Sequence, residues 1–229
     1  MENSNKPNPY IIVIVILLLV VAALLYNQWG NKIMPASVEE TEDKNDTIPE
    51  DGNVNTEVTD NDIQIGDDDA PVTIVEYYSY FCGYCKAFDD DTKPRLINDY
   101  VKTGKVKLVL RPYPPFEAGL AVACANEQEK FSEYHDKLFD EVQNIESVED
   151  LKTIAADVGL NVEEFNQCFD SQKYLELVQK WYQQGNQDFE EAGVAEERRG
   201  TPAFFVNNTV LLGARPYEDF VDAIEAELD

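Results

Sequence analysis

The sequence predicts an α/β domain of order β-α-β, helical block, β-β-α, carried behind one N-terminal transmembrane helix. Three observations predict it. A cysteine pair, Cys82-Gly-Tyr-Cys85, stands where a β-branched and aromatic run gives way to helical spacing. Two short apolar runs, Ala203–Val206 and Thr209–Leu212, flank Asn207-Asn208 near the C-terminus. An uncharged apolar stretch of 17 residues, Tyr10 to Tyr26, lies close to the N-terminus.

The apolar stretch comes first in the chain. As a helix it spans about 26 Å, just under the ~30 Å hydrocarbon core of a bilayer. Tyr10, Tyr26 and Trp29 sit at its ends, where amphipathic rings favour the interface. Residues 1–9 are then a short cytoplasmic tail and 10–29 a signal-anchor. Val21-Ala22-Ala23 offers a small-residue cleavage site, so a cleaved signal peptide is the competing reading. Leu24 and Leu25 continue the apolar run past that site and favour the anchor. A short tail before the anchor and a long chain after it favour export of the C-terminal side. Residues 30–62 mix Asp, Glu, Asn and Thr without apolar period, and self-repulsion predicts an extended, disordered linker.

From residue 63 to 229 the pattern is that of a folded domain. Val72–Ser79 (VTIVEYYS) reads as a buried strand. Lys86–Val101 follows with helical spacing, Pro94 kinking it and Gly104 closing it. Val106–Leu110 is a second strand, which makes a right-handed β-α-β unit. A helical insertion spans about 116–195. Phe131, Tyr134, His135, Leu138, Phe139 and Val142 fall on one face, Ser147 with Asp150 caps a second helix, and Asn161 opens a third. Tyr174, Leu175, Val178, Trp181 and Tyr182 mark a fourth helix. The two asparagines predict a tight hairpin turn, and Tyr217–Leu228 a closing helix.

The charge limits function. With 18 Lys+Arg against 45 Asp+Glu the net charge is -27, which repels phosphate backbones and excludes nucleic acid as a partner. Residues 39–69 carry -12 of this and residues 70–229 carry -16. One histidine leaves no imidazole cluster for a catalytic metal, and no cofactor is expected. Four cysteines are enough for two pairs. In Cys82-Gly-Tyr-Cys85 the strand-to-helix placement matters more than the spacing. The first N–H groups of the helix stabilise a thiolate on Cys82, the attacking species, and Cys85 lies one turn on, where it can resolve a mixed disulfide. A zinc half-site and an inert disulfide are the competing readings. No second C-x-x-C completes a zinc site.

VEYYSYFCGYC, EKFSEYHDKLF and GTPAFFVNN resemble the DsbA-type branch of the thioredoxin superfamily over residues 63–229. The resemblance implies a thioredoxin fold with a helical insertion and a thiol–disulfide oxidoreductase acting through Cys82 and Cys85. It implies a cis peptide before Pro202, with Thr201 and Tyr84 meeting substrate. It makes Glu76 a buried carboxyl that exchanges a proton with Cys85, and Arg111, on the second strand, the nearest candidate for the basic neighbour of Glu76. It also suggests that Cys124 and Cys168 pair as a structural disulfide, two buried free thiols being the alternative. Gly83-Tyr84 departs from the Pro-His of strongly oxidising members and looks more like the isomerase branch, DsbC, whose separate dimerisation domain has no counterpart here. His135, on an apolar stripe, reads as a hydrogen-bonded core residue.

The expected function is introduction of disulfides into reduced or misoxidised exported polypeptides, on the extracytoplasmic side of the cell membrane. By the same resemblance, a membrane quinone-linked oxidase of the DsbB or VKOR kind re-oxidises the pair. Two alternatives stay open: a reductase or isomerase kept reduced by a membrane electron donor, and a peptide-binding module without turnover.

Overall fold

The computed structural model describes residues 56–228. The expected tail 1–9, anchor 10–29 and most of the linker lie outside the described residues, among which no helix is long and apolar enough to cross a membrane.

Five strands form one sheet in the order β1-β3-β2-β4-β5. They are β1 (Ile63–Ile65), β2 (Val72–Tyr78), β3 (Val106–Pro112), β4 (Ala203–Val206) and β5 (Thr209–Leu212). Strand β2 runs parallel to β3 and antiparallel to β4, so the sheet's central strand is the one that leads into the cysteine pair. The short strand β1, antiparallel to β3, has too few residues to show a period and is not evident in the sequence. The β4–β5 turn is the expected one: Asn207 sits at φ 46° and its side chain accepts the Thr73 N–H at 2.9 Å.

Between β2 and β3 the chain is helical from Gly83 to Val101, but not uniformly α. Helix α1 (Gly83–Ala87) widens into a π turn at Phe88–Thr92, returns to α2 (Lys93–Leu96), and widens again at Ile97–Val101. Pro94 has no N–H to continue an α ladder. The chain answers with a wider turn, in which the Lys93 N–H donates to the Phe88 carbonyl five residues back. That wide turn brings residue 93 round to the buried side that Phe88 already occupies.

The insertion consists of α3 (Phe116–Glu127), α4 (Phe131–Glu141), α5 (Val148–Asp157), α6 (Val162–Asp170) and α7 (Leu175–Glu191). Ser147 and Asp150 form a reciprocal capping box, and Asn161 caps α6 through the Glu163 and Glu164 N–H groups. Cys124 on α3 and Cys168 on α6 are joined as a disulfide, with Cα atoms 5.9 Å apart. Closing that loop contributes about 4 kcal/mol in the chain-entropy picture. Helix α8 (Tyr217–Leu228) closes the fold.

The sheet buries both faces. One packs Ile74, Tyr78, Leu108, Phe204 and Phe88 with α8 and the insertion. The other packs Val75, Tyr77, Val109 and Phe205 under Phe189, Ala192 and Val194. Gly185 lets α7 lie this close, since a Cβ there would meet the Tyr113 hydroxyl at 2.6 Å.

The folded part begins earlier than residue 63, where the linker was expected to end. Val58 packs against the second core, and Asp62 is buried as the partner of Arg111. An acid that looked like one more linker charge is bound by a base 49 residues away in sequence, which composition alone does not reveal.

Candidate active site

Cys82 is the N-cap of α1, in extended conformation at φ -102°, at the C-terminal end of the central strand. Its carbonyl accepts the Cys85 and Lys86 N–H groups, both at 3.1 Å, which fixes the turn. Its sulfur is partly exposed and lies 3.2 Å from the Thr201 carbonyl. Thr201-Pro202, a cis peptide, lies in the loop before β4. Cys85 is wholly buried, and the Ser79 N–H points at its sulfur from 3.4 Å.

The two thiols have opposite proton affinities. Burial raises that of Cys82. Hydrogen bonds from the Cys85 thiol, the Cys85 N–H, the Thr201 side chain and the Tyr84 N–H outweigh burial and hold the thiol below its usual range. For Cys85, burial dominates and pushes the thiol far up, with Cys82 and Glu76 adding to it. The thiolate is therefore favoured on Cys82 and disfavoured on Cys85.

A family model described as Thioredoxin matches residues 58–226. The chain belongs to the thioredoxin family. Disulfide bond formation protein D of Bacillus subtilis is 26% identical over 72% of this chain and 76% of that protein. The structure of oxidised BdbD from Bacillus subtilis superposes with a TM-score of 0.62 at 26% identity, covering 73% of this chain and 93% of that one. Wolbachia pipientis α-DsbA1, at 23% identity and a TM-score of 0.62 over 74% and 92%, shares the fold. This thioredoxin-family chain is a thiol–disulfide oxidoreductase.

Within the thioredoxin domain, Glu76 is buried beneath the cysteines, on the β2 face that it shares with Ile74 and Tyr78. Burial raises its carboxyl well above the usual range, and the Lys93 ammonium partly counters this. The basic neighbour is therefore Lys93, and the expectation of Arg111 is corrected. Arg111 pairs in register with Tyr77, not Glu76, and so serves the opposite face of the sheet. There it binds Asp62 through two nitrogens, at 2.8 and 2.9 Å, and the Tyr77 hydroxyl at 2.9 Å. Lys93 was hidden in the sequence because an α-helical spacing does not put it on the face of Phe88. A lysine directly before a mid-helix proline was the only available signal.

Tyr84 is 71% exposed and Phe81 51%, on either side of Cys82. A groove of about 400 Å³ runs from Cys82 and Thr201 past Tyr113, Tyr182 and Arg199. Arg199 is half-buried, its Nε donating to the Val194 carbonyl, and it borders the groove. Pro114-Pro115, a second cis peptide that sequence reasoning did not single out, shapes the other side. His135 is a hydrogen-bonded core residue, 2.7 Å from the Tyr80 hydroxyl. Cys124 and Cys168 lie in the insertion, bonded to each other and apart from this chemistry.

Proposed function

We propose that this chain introduces disulfides into reduced or misoxidised exported polypeptides, from the extracytoplasmic side of a membrane in which residues 10–29 anchor it. The observation that carries the reading is the asymmetry of the pair. A partly exposed Cys82 with a favoured thiolate sits beside a buried Cys85 with a disfavoured one. Stabilising one thiolate stabilises the reduced form of the pair, which makes the Cys82–Cys85 disulfide the better oxidant.

In the proposed cycle a substrate thiolate attacks Cys82 of the disulfide. The Cys82–Cys85 bond breaks, and Cys85 leaves and takes a proton from Glu76. A second substrate thiolate then attacks the substrate sulfur of the mixed disulfide and expels Cys82 as the thiolate. Two electrons pass from the substrate to the pair, and a membrane quinone-linked oxidase of the DsbB or VKOR kind removes them. Exposed Phe81 and Tyr84 give apolar contacts to an unfolded chain. The Thr201 backbone beside Cys82, ahead of Pro202, offers an acceptor to an extended substrate.

Alkylation trapping of the pair in intact cells tests the direction. The oxidative reading expects Cys82–Cys85 mostly as the disulfide. A pair trapped mostly as thiols would favour the reductase or isomerase reading. Cys82→Ser should abolish exchange in either case.

A further inference from the structure

Lys93 is a buried ammonium with more than one anion to serve. Its Nζ contacts the Asp89 carboxylate, one turn back on the same helical segment, and lies 2.8 Å from His135 Nε2. Its field also reaches Glu76, for which it is the favourable charge. The imidazole completes the arrangement. Burial and the nearby Lys93 keep it neutral; its Nε2 lies 2.8 Å from both the Lys93 ammonium and the Asp89 carboxylate, and its Nδ1 lies 2.7 Å from the Tyr80 hydroxyl. That hydroxyl is 3.0 Å from the hydroxyl of Tyr78. The side-chain ligand atoms of Asp89, His135 and Asp136 come within 4.8 Å of one another, but the Lys93 ammonium already supplies the cation there.

The groups that face Glu76 and Lys93 come from every element packed on them. They are Cys85 and Lys86 on α1, Asp89 on the π turn, His135 and Asp136 on α4, and Tyr78 and Tyr80 on and just after β2. The sheet neighbours of Glu76, Leu110 and Phe204, are apolar. One positive charge is therefore divided between the Asp89 carboxylate, which it contacts, and the buried Glu76, which its field reaches. While Asp89 holds Lys93, an ionised Glu76 is left under-compensated and keeps its proton.

We propose that Asp89 acts as a positioning residue which, through Lys93, keeps Glu76 loaded with the proton that Cys85 takes as it leaves the Cys82–Cys85 disulfide. This inference rests on the proton-donor role proposed for Glu76. The step balances. Substrate sulfur bonds to Cys82, Cys85 departs with the bonding pair, and the proton moves from the Glu76 carboxyl to Cys85. The field of Lys93 stabilises the resulting carboxylate.

The test is the rate at which dithiothreitol reduces the pair in the detergent-solubilised full chain, from pH 5 to 10, divided by the thiolate fraction of the reductant. The corrected rate should fall as Glu76 loses its proton. In Asp89→Asn Lys93 loses the carboxylate that it contacts and its charge serves Glu76 more fully, so the midpoint of the fall should move down by about one pH unit. In Lys93→Met the ammonium is gone, so the midpoint should move up. Shifts of opposite sign are not what a merely structural role produces. Glu76→Gln should abolish the fall. If it persists there, the proton-donor reading of Glu76 fails and the inference fails with it. If Glu76→Gln abolishes the fall but Asp89→Asn leaves the midpoint in place or raises it, the role of Asp89 alone is overturned. Asp89→Asn is near-isosteric and leaves the Lys93 charge in place, so it decides the matter even if Lys93→Met does not fold.

Discussion

Glu76 and Tyr77 are consecutive on β2 and open onto opposite faces of the sheet, and each face contains a buried charge network. On the Tyr77 face Arg111 is matched. Asp62 accepts from it twice, and the Tyr77 hydroxyl and the Glu57 carbonyl take two more of its N–H groups. Asp62 is bound in turn by the Trp181 indole and the Thr59 N–H. On the Glu76 face one ammonium serves two carboxylates and an imidazole. The first network ties the start of the domain to β3 and α7 and leaves little to titrate. The second has an interior acid whose charge is incompletely met and which, in the proposed cycle, gives its proton to Cys85. Completeness of pairing separates a structural network from a reactive one, although both use the same side-chain types.

The largest expected effect tests the matched face. Arg111→Met leaves Asp62 buried without its cation, and should cost about 3–5 kcal/mol in denaturant unfolding of the domain. Glu76→Gln replaces an acid that holds its proton with a neutral amide, and should cost little or stabilise. If the two variants lose similar stability, the contrast between the faces is wrong.

A second way to sharpen the contrast is pH, because the two acids have shifts of opposite sign. Burial raises Asp62, but Arg111 overrides it and holds the carboxyl below its ordinary 3.8. Its stabilisation is present above that value and is lost as pH falls through the folded one. Burial of Glu76 raises it from 4.5 to about 8, with Lys93 opposing, so the folded state holds its proton more tightly than the unfolded chain does. That contribution is complete below 4.5 and is lost as pH rises toward about 8. Unfolding free energy should therefore decline across this range in the parent chain and stay flatter in Glu76→Gln. Asp62→Asn should remove the acid limb and also lower stability across the range, because it leaves Arg111 buried without its carboxylate.

The smallest effect belongs to the surface. Lys86 pairs with Asp90 at 2.6 Å and Asp140 at 3.0 Å, all three partly exposed. Lys86→Gln should change stability by less than about 1 kcal/mol, and less again in high salt. A larger change would place Lys86 in the buried network instead of at its margin.

Much of this was legible in the chain itself because it depends on local pattern. The cysteine pair at the strand-to-helix boundary, the hairpin at Asn207-Asn208, the cap at Ser147 and the closing helix Tyr217–Leu228 each follow from neighbours within a few residues. So did the burial of Glu76, an acid inside an apolar run. The Cys124–Cys168 disulfide was read from a family resemblance and not from the residues. What the sequence did not reveal was which base meets which acid. Arg111 and Glu76 seemed suitable partners, yet one residue of offset along paired strands sends their side chains to opposite faces. Lys93 turns inward only because a π turn before Pro94 changes the helical period, and Asp62 becomes structural only when β1 lies against β3. Side-chain type and local period are properties of the sequence. Pairing of charges distant in the chain depends on register and helix phase, and those are decided when the sheet and helices pack.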